Sequence, residues 1–166
     1  MSNGNETSQN KQTVTRPIDV VLDTSVLMNC LFSDRPQHTE AVQLAKYLGM
    51  LGSIAFVPAH AYFELVSAAA CHKRVDGKPL TLGSFKKMLP FGWFVVAIDL
   101  AFVNEYLITP AAAGILIDLK GGDMIFVALA LRHQLTLITE DVKMMRVARQ
   151  VGVPAMRITE YLADKA

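Results

Sequence analysis

Residues 18–29 read IDVVLDTSVLMN, and the change of character at Asp23 decides the fold. Ile18–Leu22 is a short apolar run of the kind that forms a strand buried on both faces. The hydroxyl pair Thr24–Ser25 follows the acid, and the chain then reads as helix. Outward from this stretch the same grammar repeats. Strands are expected at about 18–22 (IDVVL), 54–57 (IAFV), 93–98 (WFVVAI), 135–138 (LTLI) and 155–158 (AMRI). Helical stretches separate them. Pro36 opens one in PQHTEAVQLAKYLGM, and another runs from Ala59 to Lys73. A weaker one covers Leu82–Leu89, and Leu100–Ile108 stops before Pro110. Asp123 is placed to cap MIFVALALRH, and Asp141 to cap VKMMRVARQ, which Gly152 and Pro154 end. Alternating strands and helices imply right-handed crossovers and an α/β fold, a three-layer α/β/α sandwich on a mostly parallel five-stranded sheet.

The bulk composition narrows the function classes. At 166 residues the chain is one domain with room for a substantial core. Residues 1–16 (MSNGNETSQNKQTVTR) are polar and expected to be a disordered tail, leaving 17–166 as the folded domain. A net charge of +1 excludes a polybasic nucleic-acid binder. No apolar run approaches the roughly 20 residues of a membrane span, and the N-terminus lacks a signal-peptide core. Cys30 and Cys71 form neither a zinc spacing nor a disulfide framework, so two reduced thiols in a cytoplasmic protein are expected.

Four acids stand out against this hydrocarbon: Asp23 in VVLDTSVLMN, Glu64 in PAHAYFELVSAAA, Asp123 in KGGDMIFVALALRH and Asp141 in LTLITEDVKMM. A carboxylate in apolar surroundings is costly unless a cation compensates it. Asp23 and Asp141 follow strands and should project to the same carboxyl edge of the sheet, where open α/β folds bind ligands. Taken singly, Asp23, Asp123 and Asp141 also read as helix caps, and Glu64 as a salt-bridge partner of Lys46 or Arg132. An acid flanked by Phe63, Leu65 and Val66 inside an apolar helix is not explained by capping, and it argues that Glu64 faces inward. Together the four suggest a shared divalent-metal site. Glu140 reads as a solvated acid, His38 invites no role, and Trp93 and Phe94 read as strand core.

The motifs LDTSVLMN, AYFELVSA, GGDMIFVALALRH and LTLITEDVKMMRVARQVGVP resemble the four acidic motifs of the PIN domain, over roughly residues 18–158. The resemblance implies a metal-dependent nuclease acting on RNA, a fold used by VapC-like toxins of type II toxin–antitoxin modules. Carried over residue by residue, Asp23, Glu64, Asp123 and Asp141 match the catalytic quartet, and Thr24, Ser25 and Thr139 the small polar residues beside it. Gly121–Gly122, Glu140 and the long basic 72–90 stretch depart from a minimal domain without removing an acid.

Carboxylate ligands favour Mg2+ or Mn2+, with Asp23, Asp123 and Asp141 as metal-binding residues and Glu64 orienting water. A histidine ligand (His60, His72 or His133) would shift the choice toward zinc, but none has the short helical spacing of zinc sites. Lys73, Arg74, Lys120, Lys143 and Arg146 bracket the acids and are the candidate RNA contacts. The apolar surplus of the helix after Pro36 points to a homodimer or an antitoxin segment covering it. The rival readings are a non-catalytic RNA-binding or assembly module and an RNA-processing nuclease without an antitoxin. A phosphorylation receiver lacks support, since IDVVLDTS and AMRITE supply neither paired acids nor the lysine it needs.

Overall fold

Val20, Val21 and Leu22 form β1, the middle strand of the sheet, and all three are wholly buried. The computed structural model describes residues 18–71, 89–107 and 118–165 of the protein. Along the chain these form β1 (Val20–Leu22), α1 (Thr24–Leu31), α2 (His38–Met50), β2 (Ile54–Pro58) and α3 (Ala59–Cys71). There follow β3 (Gly92–Val96) and α4 (Leu100–Phe102), which runs on into a π-helical turn at Val103–Leu107. The last elements are α5 (Gly121–His133), β4 (Thr136–Ile138), α6 (Val142–Gln150), β5 (Ala155–Met156) and α7 (Ile158–Asp164).

The five strands lie in the order β3-β2-β1-β4-β5 and every pairing is parallel. The expected α/β architecture is therefore present, with an all-parallel sheet. Its order reverses between β1 and β4, and the crevice outside the carboxyl ends of two such strands is where open α/β sheets hold ligands. The register Leu22↔Ile138 brings Asp23 and Thr139 side by side at that point.

Three helices turn buried faces into the core. From α2, Ala41, Leu44, Ala45 and Leu48 are buried, so its apolar surplus goes mostly inward; Met50, at its end, is 79% exposed. From α5, the run Phe126–Ala130 is buried. From α6, Met144, Met145, Val147 and Ala148 are buried, whereas Val142 is exposed.

Several expectations are corrected. Lys120, not Asp123, is the N-cap of α5, because Gly121 and Gly122 are already helical and move Asp123 into the first turn. Phe94 is 51% exposed because β3 is an edge strand; only its neighbour Trp93 is half-buried, with its ring beside Tyr62 and Phe91. Glu140 is not merely solvated: it accepts a hydrogen bond from the Ile158 backbone N–H at 3.0 Å, fixing the start of α7. His38 does have a partner, its Nδ1 lying 2.8 Å from the Asn29 carbonyl oxygen. Cys30 is buried and free. The 1–16 tail, the 82–88 part of the weaker helix and residues 109–117 lie outside the described residues.

Candidate active site

Asp23 ends β1 and begins α1. Its backbone N–H bonds the Ile138 carbonyl at 3.1 Å, and its own carbonyl accepts from Val26 and Leu27. Its side chain does not cap the helix. Oδ2 instead accepts from Ser25 Oγ at 2.5 Å and from Thr139 Oγ1 at 2.9 Å. The residue is only 5% exposed. Burial pushes its pKa up to about 6; the Ser25 and Thr139 hydroxyls pull the other way, and Asp123 adds a further upward push.

Thr139 is wholly buried after β4, and its Oγ1 also accepts from the Asp141 N–H at 3.0 Å. Asp141 is the N-cap of α6, as expected, with Oδ1 accepting from the Met144 N–H at 2.8 Å. Glu64 is exposed on α3 and its Oε2 accepts a hydrogen bond from Thr24 Oγ1. The expectation that it faces the core is thus corrected. Ala61, Tyr62 and Leu65 take the buried face, while Phe63 and Val66 are 79% and 46% exposed. Glu64 pairs with neither Lys46 nor Arg132; the Arg132 guanidinium lies over the Phe102 and Tyr106 rings.

Asp123 is the electrostatic centre of the group. It is half-buried in the first turn of α5, and its carboxylate has no hydrogen bond among the described residues. Burial raises its pKa first, the charges of Asp141 and Glu64 raise it further, and Lys120 and His60 oppose them. Asp23 also senses Asp123. Asp23, Glu64 and Asp141 thus each lie within electrostatic reach of Asp123, with the Thr24 hydroxyl on Glu64 and the Ser25 and Thr139 hydroxyls on Asp23.

Of the candidate RNA contacts, Lys120 is exposed and its charge acts on Asp123, and Lys143 and Arg146 are exposed on α6; Lys73 and Arg74 lie outside the described residues. His133 is at the far end of α5 with its ring against Phe56, and His72 lies outside the described residues. Sequence reasoning misses how close His60 and Gly122 come to Glu64: a Cβ on Gly122 would lie 3.5 Å from Glu64 Oε1 and 3.6 Å from His60 Nε2. The signal that could find it is the i, i+4 spacing of His60 and Glu64.

The donor set suits a hard divalent cation, since all four acids offer oxygen. Three of them share a pattern. One oxygen is pinned by a protein donor (Asp23 Oδ2, Glu64 Oε2, Asp141 Oδ1), which leaves the other for an ion or its water. Burial and repulsion hold Asp23 and Asp123 above the usual carboxylate range, and a cation would relieve both. As the side chains lie, no three of the His, Cys, Asp and Glu groups among the described residues enclose an ion.

Comparison with known proteins bears on the fold. The sequence profile of the PIN domain matches residues 20–150, and the chain belongs to the PIN domain family. No curated protein matches it. Solved structures with the same fold include VapBC2 from Rickettsia felis bound to a DNA fragment from their promoter. That likeness has a TM-score of 0.57 at 11% identity and covers 84% of this chain and 98% of the other. A toxin–antitoxin complex from Klebsiella pneumoniae has a TM-score of 0.54 at 20% identity, covering 84% and 98%. FitAcB from Neisseria gonorrhoeae has a TM-score of 0.55 at 18% identity, again covering 84% and 98%. No helix among the described residues is long and apolar enough to cross a membrane.

Proposed function

We propose that this chain is a metal-dependent endoribonuclease and the toxin of a toxin–antitoxin pair. The reading is supported by the electrostatic reach of Asp23, Glu64 and Asp141 to Asp123 in a PIN fold. A bound Mg2+ or Mn2+ would supply a water of lowered pKa and offset charge on the phosphoryl oxygens. Asp23 and Asp123 would hold the ion, with Asp141 beside them. Glu64, steadied by Thr24, keeps Oε1 to orient the attacking water and accept its proton. Lys120, Lys143 and Arg146, with Lys73 and Arg74, follow the RNA backbone.

The antitoxin half of the reading draws on the Klebsiella pneumoniae toxin–antitoxin complex, which shares this fold. A homodimer belongs to the same proposal, with the exposed Phe63 and Val66 of α3 and Phe94 of β3 as the apolar surface to be covered. The cell interior is the compartment that fits an RNA substrate.

The test is cleavage of a structured RNA by the purified protein with Mg2+, with Mn2+ and with EDTA, beside Asp123→Asn. Metal-dependent cleavage that is lost in the variant supports the nuclease. Cleavage that persists in EDTA removes it. Growth arrest on expression, relieved by co-expressing the product of an adjacent small gene, supports the toxin; harmless expression of an active nuclease removes that half. Light scattering of the isolated chain decides the dimer.

A further inference from the structure

One group lies against the acids without a part in the chemistry above. His60 is the second residue of α3, directly after Pro58 ends β2, so helical spacing puts it on the same face as Glu64 and one turn nearer the carboxyl edge of the sheet. Both of its ring nitrogens are buried, and neither has a hydrogen-bond partner of good geometry among the described residues. An imidazole always carries at least one N–H, and a buried N–H without an acceptor is a costly thing to leave in a fold. The ring cannot simply swing away, because it packs edge-on against Phe126 with centroids 5.1 Å apart and planes at 63°.

Two acceptors lie near the ring, the Gly122 backbone and the Glu64 carboxylate. His60 Nε2 and Glu64 Oε1 both border the space the missing Cβ of Gly122 would take, at 3.6 and 3.5 Å. Glu64 has its other oxygen held by Thr24. Burial keeps the imidazole pKa below its ordinary value, although Glu64, the Gly122 backbone and Asp123 pull it upward. A neutral ring with one N–H suits a site that must also admit a cation.

We propose that His60 is a positioning residue for Glu64, its Nε2–H holding Oε1 through one water beside Gly122, while Thr24 holds Oε2. Glu64 is then fixed at both oxygens. A carboxylate oxygen accepts more than one hydrogen bond, so Oε1 still takes the attacking water. This inference rests on the part given to Glu64 in the nuclease reading, and it adds a residue outside the acidic quartet. Outer partners of this kind hold the orientation of the groups that do the chemistry.

Two variants and one spectroscopic measurement test it. His60→Phe keeps a ring against Phe126 and removes the donor; His60→Gln keeps a donor of similar reach. We expect His60→Phe to lower kcat for RNA cleavage roughly 10-fold or more, with KM and Tm unchanged, and His60→Gln to recover most of the loss. In the metal-free, 15N-labelled full chain, long-range imidazole spectra should show Nε2 carrying the proton, with its signal moved by Glu64→Gln. Equal losses in the two His60 variants, full activity in His60→Phe, or an unprotonated Nε2 would overturn the proposal. A parent protein that cuts no RNA would remove the nuclease reading instead, and the Nε2 spectra would still decide whether His60 holds Glu64.

Discussion

Thr139 donates its side-chain hydroxyl to Asp23 Oδ2 over 2.9 Å, joining residues 116 apart in the chain. The Thr139 oxygen in turn accepts from the Asp141 N–H at 3.0 Å. One buried hydroxyl thus ties the end of β1 to the cap of α6 and sets two of the four acids relative to each other. The β1–β4 register makes this possible, because Leu22 opposite Ile138 leaves Asp23 and Thr139 as neighbours.

Thr139→Val should therefore cost about 1–3 kcal/mol of stability, since it leaves the Asp141 N–H and a buried carboxylate oxygen each short of a partner. Asp23 should also become harder to ionise, because a donor that pulls its pKa down is gone. Urea denaturation with Thr139→Ser as the control checks this. If valine and serine are equally stable, the hydroxyl is not the tie.

Asp23 itself makes stability depend on pH. Its folded pKa of about 6 stands above the ordinary aspartate value of 3.8, so the folded chain binds this proton more tightly than the unfolded one. The resulting stability is fully present below about pH 4 and is lost as pH rises through about 6. In metal-free protein, Asp23→Asn should gain stability at pH 7–8, by up to about 3 kcal/mol. Near pH 4 it should gain close to nothing. Equilibrium unfolding in EDTA at both pH values measures the difference, and a gain that is the same at both would mean charge burial is not its source.

Much of this arrangement is legible in the sequence, and the exceptions have physical reasons. Asp23 and Asp141 can be placed because each follows an apolar strand of a parallel sheet. Glu64 belongs with the acids for a different reason than its neighbours suggest: Phe63 and Val66 are exposed, and what positions it is the turn of α3 that starts where β2 ends. Asp123 reads as a cap because it stands just before an apolar helical run, yet the two glycines ahead of it are helical themselves. The short helix α7 is not legible at all. Its first turn is held by Glu140 from before α6, which bonds the Ile158 N–H, and by its own Glu160, which bonds both the Arg157 N–H and Arg149. Pairings that depend on register, such as Thr139 with Asp23, cannot be read from spacing alone.

Divalent metal should reverse the cost of gathering these acids. Mg2+ or Mn2+ should raise Tm by mass action, and Asp123→Asn should weaken the effect. The ion competes with protons on Asp23 and Asp123, both of which titrate above the usual carboxylate range. Binding should therefore release protons and weaken as pH falls below about 6. Calorimetry in two buffers of different ionisation enthalpy measures the release. Metal affinity that does not change between pH 5 and pH 7 would place the ligands elsewhere.

The basic residues of α6 divide into two kinds, and substrate binding should tell them apart. Lys143 and Arg146 are exposed and form no ion pair among the described residues, so they remain available to phosphates. Arg149 is already engaged, with Nε bonding the Ala155 carbonyl at 2.9 Å and Nη2 bonding Glu160 Oε2 at 3.1 Å. Lys143→Ala and Arg146→Ala should each weaken RNA binding and flatten its salt dependence, by about 0.7 in log–log slope for each phosphate no longer neutralised. Their kcat at saturating RNA should stay near that of the parent. Arg149→Ala should instead lower Tm, by loosening β5 and α7, and leave the salt slope unchanged. Filter binding of a catalytically silent Asp123→Asn background across a salt series separates the two kinds. An unchanged slope for both Lys143→Ala and Arg146→Ala would move the RNA path away from α6.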